Sequence, residues 1–196
     1  LLDCCHYQSL RIVNEDVRNT DLLGSLVRQS AIIIHLACIV GAPACDKDPV
    51  AAKTINLDPI RTILNARTKD QPILFPNTNT VYGIGQEGIF CTEESPLKPV
   101  SLYGRLKVEA EKEILSRVNS ISLRLATVFG ISPRMRLDLL VNDFVYRAVN
   151  DRFVVLFEAH FKRNYIHVRD VARVFLHCIE NFDSIKNNAY NVGLSD

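Results

Sequence analysis

Several ingredients are scarce in this chain of 196 residues. It has no Trp, one Met, eight Gly and eight Pro. That glycine and proline content is too low for a fibrous or low-complexity chain. Neither sign of charge is in excess, since 23 Lys and Arg against 22 Asp and Glu leave a formal +1. Such a balance gives no overall field to gather nucleic acid or an anionic membrane, and neither is expected as a partner. Long apolar runs are missing too. The longest uncharged stretch, Ala31 to Cys45, contains His35 and Pro43 and falls short of the ~18 residues that a membrane helix needs. No segment reads as a secretory signal. The six cysteines are Cys4, Cys5, Cys38, Cys45, Cys91 and Cys178. They form no Cys-x-x-Cys pair and have no His partner at zinc-ligand spacing. They read as reduced, mostly buried thiols of a cytoplasmic protein, with no metal site.

What is present is an alternation of buried strands and amphipathic helices. Ile32 to Leu36 is a short β-branched run and reads as a buried strand. Pro49 to Arg67 has helical spacing at Ala52, Ile55, Ile60, Ile63 and Leu64, with Pro59 expected to kink or split it. Ile73 to Phe75 is a second strand, Leu102 to Arg117 a helix, Ile121 to Leu125 a strand and Leu139 to Val149 a helix. Phe153 to Phe157 and Tyr165 to Val168 read as strands, and Asp170 as the cap of a helix through Ile179. The order implies an α/β fold with a parallel, doubly wound sheet covered by helices on both faces.

Two motifs compete for a functional reading. Gly83-Ile84-Gly85-Gln86-Glu87-Gly88 matches G-x-G-x-x-G literally. That pattern cradles a pyrophosphate only where a strand turns into a helix. The following Thr92-Glu93-Glu94-Ser95-Pro96 does not open a phosphate-binding helix, so the run reads as a loop. The second motif is Tyr103-Gly104-Arg105-Leu106-Lys107. Four residues of helix place Tyr103 and Lys107 on one face, where an ammonium favours the phenolate. Upstream, Pro76-Asn77-Thr78-Asn79-Thr80-Val81-Tyr82-Gly83 lies at the C-terminal end of a strand, where ligands of parallel sheets bind.

With these residues in order, the chain resembles an extended short-chain dehydrogenase/reductase, the family of nucleotide-sugar epimerases and dehydratases. Asn14-Glu15-Asp16-Val17-Arg18 resembles the segment whose Asp contacts the cofactor adenine. Ile34-His35-Leu36-Ala37 resembles the strand end beneath the cofactor, and Asn56 the helix Asn near the nicotinamide ribose. Thr78 falls at the catalytic Ser/Thr position, and Tyr103 and Lys107 match the catalytic pair. Arg163-Asn164-Tyr165-Ile166-His167-Val168-Arg169-Asp170-Val171-Ala172 resembles the segment whose first Arg binds the sugar-nucleotide diphosphate. Ala189-Tyr190-Asn191-Val192-Gly193 resembles the strand after it.

The resemblance implies a Rossmann-like fold and an NAD-dependent nucleotide-sugar epimerase acting by C4 oxidation and re-reduction. Tyr103, Lys107 and Thr78 are its catalytic set. Asp16, Val17, Leu36, Ala37, Asn56, Tyr103 and Lys107 would contact the cofactor, and Thr78, Thr127 and Arg163 the nucleotide-diphosphate sugar. A homodimer through the Pro49–Arg67 and Leu102–Arg117 helices is implied as well. Residues 1–130 are expected to be a partial dinucleotide-binding unit with the catalytic helix. Residues 131–196 are expected to begin a small substrate-binding region and return to the core sheet.

The departures from the family pattern carry their own expectations. The chain starts without Met, and the family's glycine-rich turn is expected before Leu1, with the residue that selects NAD or NADP. The chain thus reads as a piece of a longer protein, inactive and a weak dinucleotide binder by itself. Pro59 stands where relatives usually carry Gly, and Thr127 where UDP-galactose 4-epimerases have Asn. Asn79 and Thr80 replace the Asp-Glu pair of the related dehydratases. The rival readings are a 4,6-dehydratase, a keto-sugar reductase, or a cofactor-binding regulatory protein on the same fold. Arg134, Arg136 and Lys162 are candidate phosphate contacts, although a solvated face is the default for them.

Overall fold

The structure, a computed structural model of the chain, describes residues 7–85, 90–157, 159 and 163–194. Cys4, Cys5, Glu87, Gly88 and Lys162 therefore lie outside the described residues. The first element is a helix that the pattern reading did not anticipate, α1 (Thr20–Gln29). Its signal is an Asn ahead of apolar residues at helical spacing: the Asn19 side chain accepts from the Leu22 N–H at 3.2 Å, and Val27 is buried. β1 (Ile33–Ile34) is shorter than the expected strand. The expected helix over Pro49–Arg67 is divided in two, preceded by α2 (Ala42–Lys47). α3 (Pro49–Asn56) starts on Asp48, whose carboxylate accepts from the Ala51 N–H at 2.9 Å. It stops at Leu57, and Pro59 sits in the first turn of α4 (Asp58–Ala66), where a missing N–H costs nothing.

β2 (Ile73–Thr78) and a single 3-10 turn, Asn79–Tyr82, lead to the long loop before α5 (Leu102–Leu115). β3 (Ser120–Leu125), β4 (Thr127–Phe129) and α6 (Leu140–Asn150) follow. The expected strand at Phe153–Phe157 is absent. No neighbouring strand pairs with this stretch among the described residues, and Phe153, Val155, Leu156 and Phe157 are exposed. β5 (Tyr165–His167) runs directly into α7 (Val168–Glu180), followed by α8 (Phe182–Ile185) and β6 (Asn188–Val192). The cap of α7 is His167, not Asp170: the His167 ring accepts from the Arg169 N–H at 3.2 Å. Asp170 is inside the first turn, where its charge suits the helix dipole and pairs with Arg173 at 2.8 Å.

Four strands form one parallel sheet in the order β1-β2-β3-β6, and β4 pairs with β5 in a second, two-stranded parallel sheet. Alternation along the strands assigns each helix its face. Ile33, Ile73 and Phe75 point into a core with Cys45, Ala52, Ile60, Ile63, Leu106, Ala110 and Ile114, which are contributed by α2 to α5. Leu74, Ile121, Leu123 and Val192 point the other way, onto Val171 and Cys178 of α7 and Phe182 of α8. This is the expected Rossmann-like, doubly wound layering. It sets α5 against β2, β3 and the turn that follows β2. Among the described residues no helix is long and apolar enough to cross a membrane, and no group of three potential metal ligands occurs.

Candidate active site

Ser101 opens α5 by accepting from the Gly104 N–H at 3.1 Å, which places Tyr103 in the first turn and Lys107 one turn further on. Both side chains are buried, and both lie on the face that meets β2. Lys107 reaches the end of that strand: its Nζ donates to the Pro76 carbonyl at 2.9 Å and lies 4.4 Å from the centre of the Phe75 ring. Pro76 lies past the two β2 residues that pair with β1. The Cys38 thiol also acts on this ammonium, in the direction that favours its charged form.

Thr78 ends β2, and its hydroxyl is 2.9 Å from that of Thr80 and accepts from the Thr80 N–H at 3.2 Å. Thr78 also acts on the Tyr103 phenol in the direction that favours ionisation. Burial dominates and lifts the phenol above its ordinary pKa, and the Cys38 and Cys45 sulfurs act in the same direction. Arg136 opposes them. Lys107 is shifted downward, by burial first. Tyr103 and Lys107, expected from their spacing to share a helix face, are both buried on α5, and the ammonium is directed to the Pro76 carbonyl.

His35, at the C-terminal side of β1, is also buried. Burial and the nearby Lys107 charge lower its pKa from 6.5 to about 4, so the ring is neutral near pH 7. Its Nε2 has no hydrogen-bond partner among the described residues. Among the described residues this nitrogen is orphaned and no carboxylate pairs with the nearby Lys107 ammonium, which leaves unmet polar capacity at this edge.

The remaining predicted residues fall into two groups. Asn56 is buried and grips the loop after β1 through both atoms of its amide. Its Oδ1 accepts from the Ile39 N–H at 2.7 Å, and its Nδ2 donates to the Ile39 carbonyl at 2.9 Å. Leu36 and Ala37, at the head of that loop, are exposed. Asp16 and half-buried Val17 precede α1, where the Asp16 carboxylate pairs with Arg18 at 2.6 Å and is held at about pKa 2, chiefly by that side chain. Thr127 begins β4 and is half-buried, and its N–H donates to the Asn164 carbonyl at 3.1 Å. Arg163, next to Asn164, is exposed. Of the glycine run, Gly83 has φ +76° with the Lys98 carbonyl lying where a side chain would begin, and residues 90–100 are irregular.

Sequence reasoning missed a second buried polar cluster. Glu111, one turn beyond Lys107, accepts from Asn77 Nδ2 at 2.7 Å, Ser122 Oγ at 2.6 Å and Arg124 Nη2 at 2.7 Å. Arg124 Nη1 also donates to the Tyr82 hydroxyl at 2.7 Å and to the Glu93 carbonyl at 3.0 Å. Tyr82 donates to Asn191 Oδ1 at 2.6 Å. Burial pushes Glu111 upward, yet the hydrogen bonds from Arg124, Ser122 and Asn77 outweigh it and the carboxyl stays below its ordinary pKa. The available signal was period two in β3: Ser122 and Arg124 alternate with Ile121 and Leu123, so a charge had to face α5.

Comparison with known proteins places the chain. The profile of the NAD dependent epimerase/dehydratase family matches residues 4–193, and the chain belongs to that family. It is 25% identical over 192 residues to an uncharacterized UDP-glucose epimerase, YtcB, of Bacillus subtilis, covering 92% of this chain and 56% of that protein. It is also 25% identical over 179 residues to UDP-glucuronate 4-epimerase 6 of Arabidopsis thaliana, covering 85% of this chain and 39% of that protein. The chain thus spans about half the length of these curated relatives.

Two solved structures share the fold. One is UDP-glucuronic acid 4-epimerase from Bacillus cereus in complex with UDP-glucuronic acid and NAD, with TM-score 0.84 and 23% identity over 100% of this chain and 63% of that one. The other is dTDP-glucose 4,6-dehydratase from Bacillus anthracis in complex with NAD, with TM-score 0.83 and 19% identity over 100% of this chain and 62% of that one.

Proposed function

We propose that the full-length protein is an NAD-dependent nucleotide-sugar epimerase that works at C4, with Tyr103, Lys107 and Thr78 as its proton-handling set. The observation that carries this reading is the convergence of buried Tyr103 and Lys107 of α5 with Thr78 at the end of β2. When bound, NAD supplies the acceptor and donor for a hydride. The orphaned His35 Nε2 and the Lys107 ammonium suit a polar cofactor at this edge. Leu36, Ala37 and the Asn56-held loop would line it, with Asp16 and Val17 towards the adenine end.

Tyr103 removes the proton of the sugar C4 hydroxyl as the ketone forms, and returns it when the ketone is reduced from its other face. Thr78 holds the same oxygen, and Lys107 holds the cofactor side and keeps positive charge near the proton transfer. Thr127 and Arg163 face the nucleotide sugar. A homodimer through α3, α4 and α5 and a cytoplasmic setting belong to the same reading.

Dehydration is disfavoured by the residues next to Thr78. Removing water across C5 and C6 needs an acid and a base, and neither Asn79 nor Thr80 titrates near neutral pH. The test is to incubate the full-length protein with a panel of nucleotide hexoses and follow the products by NMR. A C4 epimer without net cofactor turnover is expected, and a 4-keto-6-deoxy product would replace this reading with the dehydratase. Tyr103→Phe is expected to lose at least ~100-fold in rate, the low end for a general acid/base.

A further inference from the structure

One member of the buried Glu111 cluster also touches the last residue of β2. Asn77 is buried and stands directly before Thr78. Its Nδ2 donates to Glu111 Oε2 at 2.7 Å, and its Oδ1 accepts from the Thr78 N–H at 2.9 Å. The two ends of this amide are not interchangeable. An ionised carboxylate only accepts, so Glu111 takes the NH2 end and turns the carbonyl end to Thr78. Glu111 is itself fixed. Its Oε2 also accepts from Ser122 Oγ at 2.6 Å and Arg124 Nε at 3.1 Å, and its Oε1 from Arg124 Nη2 at 2.7 Å.

Thr78 is thus held from several sides. The Pro76 carbonyl before Asn77 is taken by Lys107 Nζ at 2.9 Å. Lys107 and Glu111 stand one turn apart on α5, so one helix grips two successive residues of β2. The Thr78 hydroxyl, 2.9 Å from that of Thr80, accepts from the Thr80 N–H at 3.2 Å. A Thr side chain has a single heavy-atom torsion, so a fixed backbone leaves its hydroxyl few positions.

We propose that Asn77 is a positioning residue of the active site: it carries the fixed orientation of the Glu111 carboxylate to the Thr78 backbone and so aims the Thr78 hydroxyl at the sugar oxygen. The inference rests on the reading of Thr78 as the group that holds that oxygen. Asn77 acts through Thr78 and touches neither sugar nor cofactor.

The experiment uses the full-length protein with NAD. Values of kcat and KM for the nucleotide sugar are measured for wild type, Asn77→Ala, Asn77→Asp, Thr78→Val and Asn77→Ala/Thr78→Val, each below its melting temperature. In parallel, deuterium exchange of the Thr78 amide is followed by NMR on protein labelled with 15N-threonine, with Thr78→Val assigning the resonance. Asn77→Ala is expected to lower kcat by about tenfold to a hundredfold, the scale of a misplaced reacting group, with KM little changed. Its Thr78 amide exchanges faster. In the Thr78→Val background the same change costs much less, because the hydroxyl it aims is gone. Asn77→Asp supplies a pH signature. As the neutral acid it donates to Glu111 and accepts from Thr78, as the amide does, and as the anion it repels Glu111. Its kcat relative to wild type at the same pH is expected to recover as pH falls. This variant decides the matter if Asn77→Ala does not fold.

An unchanged kcat in Asn77→Ala overturns the proposal. So does a loss that persists undiminished beside Thr78→Val, or an Asn77→Asp deficit that ignores pH. A protein that epimerises no sugar overturns the proposed function; faster Thr78 exchange in Asn77→Ala then upholds the hold on Thr78, and unchanged exchange overturns it. A protein that epimerises sugars while Asn77→Ala moves neither kcat nor the Thr78 amide overturns the positioning role alone.

Discussion

Lys107 and Glu111 stand one turn apart on α5, and both are almost dry, at 5% and 2% exposure. Their fates are opposite. Glu111 is met by an amide, a hydroxyl and a guanidinium, and it stays ionised below its ordinary pKa. Lys107 meets a carbonyl, a thiol and an aromatic face, none of which carries charge in its ordinary state, and its pKa falls. Equal burial thus produces a closed ion pair at one position and an open one at the next. The closed cluster joins α5, β3, β6 and the loop at Glu93, which makes it scaffold. The open cluster holds Tyr103, Lys107 and His35, whose Nε2 has no partner among the described residues, at the sheet edge where chemistry is proposed. What separates scaffold from site here is whether the buried charge has been answered.

The largest test of that contrast is to break the closed cluster. Glu111→Gln or Arg124→Met leaves a buried partner unanswered and is expected to cost ~3–5 kcal/mol in urea unfolding. The double variant Glu111→Leu/Arg124→Met should recover much of that loss, because an apolar pair leaves no stranded charge. Single variants within ~1 kcal/mol of wild type would show that water reaches the cluster, and the comparison with Lys107 would collapse.

The open cluster makes a pH prediction. His35 is held neutral in the fold, with its pKa lowered from 6.5 to about 4 by burial and then by Lys107. A depressed folded pKa gives stability that is fully present above the unfolded value. That stability is lost progressively as pH falls from 6.5 towards 4, by about 3 kcal/mol in all. Urea midpoints measured between pH 7.5 and 4.5 should therefore fall steadily in wild type and much less in His35→Leu. Equal slopes would mean that His35 is solvated or finds a partner for Nε2.

How much of this was legible in the sequence follows from what each signal depends on. The parallel sheet and its layering came from local periodicity, and the Pro59 break from a ring that cannot donate, so both survived in the structure. The Tyr103–Lys107 face needed only the helical repeat. The Lys107–Pro76 bond did not follow, because it depends on where β2 ends relative to α5, a tertiary fact. Phe153–Phe157 misled for the converse reason: its residues favour a strand, but a strand exists only with a neighbour to pair with. Asp170 was credited with a cap that His167 makes, since β5 runs into α7 without a break and moves the boundary. Arg136 was noted only as a possible phosphate contact. Asn142 escaped notice as well, because no helical or strand repeat relates it to its partners at Gly130 and Arg136.

The smallest expected effect comes from a third ion cluster on the same helix, at its wet face. Arg61 of α4 reaches Glu109 at 2.9 Å and Glu113 at 2.7 Å, and adds Asp58 of its own helix at 3.5 Å. By contacts alone this is as rich as the Glu111 cluster. The difference is water: the Arg61 side chain is 45% exposed and that of Glu109 51%, against 7% and 3% for Arg124 and Glu111. Exposed charges lose little hydration on unpairing, and salt screens what remains. Arg61→Met should therefore leave the urea midpoint within error of wild type. Any deficit seen at low salt should vanish on the order of 1 M salt, where the screening length is ~3 Å. A salt-resistant loss comparable to that of Arg124→Met would mean that Arg61 is covered in the intact protein, and would point to α4 and α5 as a face packed against a second copy.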